Sequence, residues 1–177
     1  MIKLYAARHG QTQWNSQNLV ISRTDQPLTE LGLAQAELLA QRASGCGIDV
    51  IYVSPMLRAR QTAQVVSQVC SAPVIVDKRL TEHDYGIYEG RSRKDPEYQA
   101  SRRQFASRYP GGESLLDVTS RVYDFLRQLK AEQDGKTVLV VCHGGICRAI
   151  RTYFENMTVE EYFGYSEENA NLRYYEL

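Results

Sequence analysis

Short apolar segments alternate along this chain with longer amphipathic ones, and this alternation restricts the possible fold more than any other feature. The short segments are rich in β-branched residues, which is typical of strands. They predict strands at residues 3–7, 49–53, 74–76 and 137–141, with a weaker one at 172–176. Because strands that alternate with helices form parallel sheets, we predict an α/β fold with a mainly parallel central sheet and helices on both faces.

Three of the amphipathic segments are predicted to be helices packed on that sheet. In the first, residues 29–44, the apolar stripe is predicted at Leu31, Ala34, Leu38 and either Gln41 or Leu39. The second covers residues 56–69, where Ser54 and Pro55 suit an N-cap and a first turn. The third covers residues 114–132, with Ser114 as its cap and one apolar stripe formed by Leu115, Val118, Val122, Phe125 and Leu129.

Composition excludes several classes of protein. The 177 residues are 43% hydrophobic, which suffices for a core, and we expect a single domain over residues 1–177. Lysines and arginines number 21 and acids 21, so no overall field favours nucleic acid or a membrane as a partner. Four cysteines without a secretion signal indicate reduced thiols and a cytoplasmic protein, while three histidines give no metal-binding spacing. We expect neither a metal nor another cofactor, and the oligomeric state stays open.

One segment differs from the rest in charge. Residues 91–109 carry six basic and two acidic side chains, a net charge of plus four in a chain whose total is zero. The basic residues are Arg91, Arg93, Lys94, Arg102, Arg103 and Arg108. We interpret residues 91–110 as an insertion over a site. These charges could bind a second anionic group of a ligand or form a solvated helix face, and the sequence does not decide between the two.

The first candidate for chemistry is the triplet Arg8-His9-Gly10, which follows the first predicted strand. Ligands of α/β proteins bind at the carboxyl ends of strands. A neutral imidazole is a good nucleophile near pH 7, and a neighbouring arginine can hold an anion that it attacks. Taken alone, the triplet is a weak signal, because most such triplets serve packing or the surface.

Further motifs follow in order along nearly the whole chain, and together they resemble the histidine phosphatase superfamily of phosphoglycerate mutase-like proteins. They are the segments RHGQTQWN at residues 8–15, DQPLTELG at 25–32, SPMLRARQTA at 54–63, LTEHDYGIYEG at 80–90, PGGES at 110–114 and HGG at 143–145. Six ordered motifs are far more specific than any one of them. The resemblance implies a phosphoglycerate mutase-like fold and a phosphomonoesterase that needs no metal.

The resemblance also implies a role for each matching residue. His9 is the nucleophile that forms a phosphohistidine, and Glu82 is the general acid and then the general base. The phosphate pocket is assigned to Arg8, Asn15, Arg58, His143 and the backbone N–H of Gly144. For His143 to assist, its ring must be protonated or must donate a hydrogen bond. Trp14, Tyr85 and Tyr88 are interpreted mainly as packing residues.

Two departures from the family pattern affect the prediction. Ser22 stands where many relatives carry glycine, which puts a backbone contact to substrate there in doubt. The acid lies in Glu82-His83-Asp84-Tyr85-Gly86, whereas cofactor-dependent mutases resemble Glu-Arg-His-Tyr-Gly. The missing arginine favours hydrolysis of a small phosphorylated metabolite over a phosphoglycerate mutase-type transfer, which remains the alternative. The substrate itself is not determined.

Two less favoured alternatives come from other classes. Residues 142–148 satisfy the C-x5-R pattern of cysteine phosphatases, with Cys142 as the nucleophile. Against this, Ala149 replaces the usual Ser or Thr after Arg148, and no aspartate follows Cys142 to act as an acid. The other alternative is a catalytically silent phosphate-binding relative. Such proteins lose the nucleophile or the acid, and here both are present.

Overall fold

The computed structural model describes all residues from 1 to 177, and its centre is one five-stranded sheet. The strands are β1 (Lys3–Arg8), β2 (Val50–Val53), β3 (Val74–Val76), β4 (Thr137–Cys142) and β5 (Leu172–Glu176). Their spatial order is β3-β2-β4-β1-β5, and every neighbouring pair is parallel except β1 with β5. The predicted α/β class and the mainly parallel sheet are therefore confirmed, as are all five strands to within one residue at each end.

Seven helices connect these strands. They are α1 (Gln13–Ser16), α2 (Glu30–Ser44), α3 (Leu57–Cys70), α4 (Pro96–Ser101), α5 (Leu115–Glu132), α6 (Gly144–Phe154) and α7 (Val159–Gly164). Two short 3₁₀ turns, Lys78–Leu80 and Gly86–Tyr88, flank the loop that carries Glu82. No helix in the structure is long and apolar enough to cross a membrane.

Two apolar cores lie on opposite faces of the sheet. On one face, side chains of α5 and α6 pack against β1, β2 and β4 around Phe125 and Ile146. On the other, α2 and α3 pack against β2 and β4 around Leu39 and Val66. Strand β4 is buried along its whole length because it is covered from both sides. Helices on both faces are thus confirmed.

The register of the central strands places three side chains at one edge. Arg8 of β1 pairs with Cys142 of β4, so His9 and His143 leave the sheet at matching positions. Val53 of β2 pairs with Val141 of β4, and the next residue, Ser54, donates its backbone N–H to the Val141 carbonyl at 3.2 Å. The carboxyl edge therefore presents Ser54, His143 and His9 side by side.

The predicted range of α3, residues 56–69, lies within one residue of the observed helix at each end, but its predicted N-cap was wrong. The N-cap residue is Met56 and not Ser54, and Met56 provides no side-chain hydrogen bond. The Leu57 N–H donates instead to the Asp25 carboxylate, at 2.6 Å, from a distant loop. The Ser54 hydroxyl contacts His143 instead, and the backbone N–H that it accepts is that of Met56, before the helix begins.

The predicted apolar stripe of α2 was also wrong, apart from Leu39. Leu31 and Leu38 are more than half exposed, and the buried face is formed by Gly32, Ala36, Leu39, Ala40 and Ala43. Small residues form this face because the backbone of the helix lies directly on the loop after β1. A methyl group added at Gly32 would collide with the Gln11 carbonyl oxygen. By contrast, α5 has its predicted Ser114 cap, and all five residues of its predicted stripe are buried.

Candidate active site

His9 lies directly after β1, with only 2% of its surface exposed. Its Nδ1 is 2.6 Å from the Gly10 carbonyl oxygen, which can only accept, so Nδ1 carries the proton and Nε2 keeps a free lone pair. Asn169 donates to the His9 carbonyl at 2.7 Å, and Thr62 accepts the Gly10 N–H at 3.1 Å. Burial and the neighbouring Arg58 and Arg8 guanidiniums hold the pKa of His9 well below its usual value. The ring is thus neutral at pH 7, as a nucleophile requires.

His143 lies beside His9, with ring centroids 5.0 Å apart. Its Nε2 is 2.7 Å from the Ser54 hydroxyl, while its buried Nδ1 has no hydrogen-bond partner. Burial, followed by Arg58 and the other neighbouring cations, lowers the pKa of His143 well below its usual value. Of the two states expected from the sequence, the structure therefore favours a neutral ring that donates.

Arg58 is fully buried, which is unusual for a charged side chain without a carboxylate partner. Its Nη1 and Nη2 donate to the carbonyls of Thr24 and Ser22, at 3.0 and 2.8 Å, and its Nε has no partner. The Glu89 carboxylate in turn accepts the backbone N–H groups of Ser22 and Thr24. The Ser22 N–H is therefore occupied within the protein, and this loop serves to orient Arg58.

Arg8, Asn15 and Gly144 complete the cationic side of the site. Arg8 donates from Nη1 to the Glu167 carbonyl at 2.9 Å, and its Nε is buried without a partner. The Asn15 side chain accepts the Thr12 N–H through Oδ1, which leaves its buried Nδ2 without a partner. Gly144 is the first residue of α6 and lies against the Arg8 guanidinium, so the helix N-terminus faces the same space.

Glu82 lies opposite the arginines in the loop before the second 3₁₀ turn, and it is 6% exposed. Its two carboxylate oxygens accept the N–H groups of His83 and Gly145, at 2.8 and 3.3 Å. The turn at 110–112 supports this loop, since a methyl group at Gly112 would collide with the Asp84 carbonyl oxygen. The loop is thus fixed with the carboxyl group beside α6.

Cys142 has no access to this site. Its thiol belongs to the apolar core on the α5 and α6 face, fully buried, and its Sγ is 3.6 Å from the Cys147 Sγ. Burial and the contact with Cys147 raise the pKa of the Cys142 thiol well above its usual value. Arg148 directs its Nε to the Gly144 carbonyl, at 3.3 Å. The geometry of a cysteine phosphatase loop is therefore absent.

Two polar cavities open next to Arg8. One, of about 30 Å³, is lined by Arg8, Glu82, Tyr85, Arg93, Gly144, Arg148, Ser166 and Glu167. The other, of about 220 Å³, has no apolar residue in its wall and is lined by Arg8, Gln11, Asn15, Asn18, Arg93, Ser166 and Asn169. Arg93 is the one residue of the basic segment that faces either cavity. Its Nε donates to the Leu19 carbonyl at 3.0 Å, and it forms no ion pair with a carboxylate.

All seven residues expected at the site converge here: Arg8, His9, Asn15, Arg58, Glu82, His143 and Gly144. Sequence reasoning missed Ser54, Thr62 and Asn169. Thr62 stands four residues after Arg58, and this spacing on a helix was an available signal. Asn169 comes from the loop before β5, and nothing local in the sequence marks it.

The fold and the site indicate an α/β enzyme with a buried, neutral histidine at the carboxyl edge of its sheet, in the field of two arginines. The model of the histidine phosphatase superfamily, branch 1, matches residues 4–177, and the chain belongs to this family. Probable phosphoglycerate mutase GpmB of Cronobacter sakazakii is 38% identical over 151 residues, which are 81% of this chain and 70% of that protein.

Two solved structures are also similar to this chain. The α-ribazole phosphatase of Shigella flexneri matches with a TM-score of 0.84 and 26% identity, over 97% of this chain and 89% of that one. A mycobacterial glucosyl-3-phosphoglycerate phosphatase matches with a TM-score of 0.85 and 27% identity, over 97% and 90% of the two chains.

Proposed function

We propose that this protein is a metal-independent phosphomonoesterase that works through a phosphohistidine at His9. One observation carries the proposal: four buried nitrogen atoms around His9 have no hydrogen-bond partner. They are Arg8 Nε, Asn15 Nδ2, Arg58 Nε and His143 Nδ1. Buried donors in proteins are almost always satisfied, and each one left alone costs about 1–3 kcal/mol. A phosphate group, with acceptor oxygens only and two negative charges, fits this set.

In the first step, His9 Nε2 attacks phosphorus in line with the leaving oxygen. The N–P bond forms and the P–O bond of the ester breaks, while Glu82 gives its proton to the leaving oxygen. Arg8, Arg58, Asn15, His143 and the Gly144 N–H hold the three remaining oxygens. Phosphoryl transfer depends mainly on such positioning and charge stabilisation, which two guanidiniums can supply.

In the second step, water attacks the phosphohistidine. Glu82, now ionised, takes a proton from that water while the N–P bond breaks, and inorganic phosphate and neutral His9 are restored. The hydrogen bond from Nδ1 to the Gly10 carbonyl holds the ring in the same orientation throughout.

The four free cysteines fit a cytoplasmic location for this reaction.

The substrate we propose is a compact, polar phosphomonoester with a second anionic group. The leaving group would extend from Glu82 into cavities that contain Arg93 and Arg148, neither of which pairs with a carboxylate. A guanidinium can bind either a carboxylate or a phosphate through paired hydrogen bonds. None of the other basic residues of the segment lines these cavities. Two of them are paired with carboxylates, Arg91 with Glu97 and Arg108 with Asp117.

A phosphoglycerate mutase activity is the second candidate, because the curated relatives bear that name. Transfer to a second hydroxyl would use the same His9 and Glu82. Incubation with 3-phosphoglycerate and its bisphosphate primer separates the two functions, since hydrolysis releases phosphate and transfer yields 2-phosphoglycerate. We expect phosphate as the main product, and 2-phosphoglycerate in excess would establish the mutase.

The proposal is tested by turnover of p-nitrophenyl phosphate with excess chelator. We expect activity in the wild type, its loss in His9→Ala, and a large decrease in Glu82→Gln. Cys142→Ser serves as the matched control for the other possible nucleophile. No hydrolysis of any phosphomonoester would indicate a silent phosphate-binding protein. Loss confined to Cys142→Ser would assign the chemistry to cysteine.

A further inference from the structure

We propose that Ser54 is a positioning residue that fixes the tautomer of His143, so that a neutral His143 ring presents Nδ1–H to the phosphate. The inference rests on the proposed phosphate-binding role of His143. It concerns a hydroxyl group that acts on the substrate only through the imidazole.

The hydrogen bonds around Ser54 assign the direction of the contact. Its Oγ lies 2.7 Å from His143 Nε2, and both side chains are fully buried. The Met56 N–H points to the same oxygen at 3.4 Å and can only donate. Since the hydroxyl has one hydrogen and no other acceptor within reach, that hydrogen goes to Nε2. Nε2 then accepts, and the proton of a neutral ring must be on Nδ1.

The charges that face the ring favour this neutral state. They are the guanidiniums of Arg58 from α3, Arg8 from β1 and Arg121 from α5, and they disfavour an imidazolium. The one other titratable group that faces the ring is His9, which is itself neutral. A phosphate dianion can only accept hydrogen bonds. If Nε2 carried the proton and donated to Ser54, the Nδ1 lone pair would face the dianion and repel it. The hydroxyl of Ser54 thus selects the form of His143 that can bind.

Nitrogen NMR of the histidine rings tests this assignment without turnover in the anion-free protein, because a bound anion would itself hold the proton on Nδ1. The chain has only three histidines, so the spectrum contains three pairs of ring-nitrogen signals. The variants His83→Gln and His143→Gln assign each pair to its residue. In the wild type at about pH 8 we expect His143 to show a protonated Nδ1 and an unprotonated Nε2. Ser54→Thr keeps the hydroxyl and should keep this signature, while Ser54→Ala should lose it. A doubly protonated His143 ring in the wild type would overturn the proposal.

The pH profile of kcat/KM gives a second readout that a merely structural role would not change. In Ser54→Ala we expect kcat/KM to fall roughly tenfold at about pH 8, and the loss to shrink at lower pH because protonation restores Nδ1–H. Ser67→Ala is the matched control, since the Ser67 hydroxyl only donates to Ala72 on the far end of α3. An unchanged His143 signature and pH profile in Ser54→Ala would overturn the proposal. If the wild type shows the expected His143 signature but hydrolyses no phosphomonoester, the proposed function is wrong while the tautomer assignment is confirmed.

Discussion

The protonation state and tautomer of His9 are set by the groups that surround its ring. Two cations and nearly complete burial keep the ring neutral, and a backbone carbonyl fixes which nitrogen is free. The motifs predicted all seven residues that converge at the site, because each lies within a short ordered pattern. Ser54 lies within one of these motifs too, but its position before a helix favoured a role as a cap. Only the register of β2 against β4 shows that its hydroxyl meets His143.

Replacement of Cys142 by serine is expected to leave kcat/KM for p-nitrophenyl phosphate within about threefold of wild type. The thiol faces the apolar core, and its raised pKa keeps it protonated. Stability should fall by about 1–3 kcal/mol, since a hydroxyl replaces a thiol among apolar side chains. Urea unfolding and steady-state kinetics on the same preparation separate the two effects. A loss of activity without a loss of stability would contradict this assignment.

Substitution of Arg93 by glutamine is expected to change substrate preference and not the chemical step. For 3-phosphoglycerate against glycerol 3-phosphate, which differ by one carboxylate, the kcat/KM ratio should fall at least tenfold, about 1.4 kcal/mol. The control is Arg91→Gln, two residues away, where the guanidinium pairs with Glu97 at the surface. An equal loss on both substrates would place Arg93 in the phosphate pocket. No change on either would exclude it from recognition.

At the scale of elements, the sequence pattern predicted the strands well because β-branched residues favour strands even in β3, whose side chains are exposed. It predicted α5 well because that helix buries a face of large apolar residues. It failed for α2, whose buried face consists of small residues. Small residues are needed there because the helix lies close to the loop after β1. The spacing of leucines in the sequence does not indicate such a contact. The N-cap of α3 was predicted wrongly for a similar reason, since the Leu57 N–H at the start of this helix is bound by Asp25 in a distant loop.

Exchange of Gly32 for alanine tests the contact between α2 and the loop that carries His9. The added methyl group would collide with the Gln11 backbone, so we expect a loss of about 1–3 kcal/mol in the free energy of unfolding. Because the loop must shift, kcat should fall as well. Gly45→Ala at the end of the same helix is the control, since nothing lies within 4 Å of the added group. Equal free energies of unfolding in the two variants would show that the loop after β1 can move aside without destabilising the protein.

At the scale of the whole molecule, three buried histidines make stability depend on pH. Burial, as the main cause, lowers the pKa of His9, His83 and His143 below the usual value near 6.5. Below that pH the unfolded chain binds protons that the folded chain excludes, so stability falls as pH falls. With three such groups the slope is at most about 4 kcal/mol per pH unit between about pH 6.5 and 5.

Urea unfolding at several pH values measures this slope directly. His83→Gln, which leaves both site histidines in place, should reduce the slope by up to one proton, about 1.4 kcal/mol per pH unit. A slope that is flat over this window in the wild type would mean that the histidines bind protons in the folded state as readily as in the unfolded chain. Burial and the neighbouring arginines would then not lower the pKa of His9, which contradicts the account of the site.

The most direct measurement is rapid quenching of a reaction with a ³²P-labelled phosphomonoester in the presence of excess chelator. Peptide mapping should find an acid-labile, alkali-stable phosphoryl group on His9 during turnover, and none in His9→Ala. Turnover without any adduct on His9, or with the label on Cys142, would contradict the mechanism.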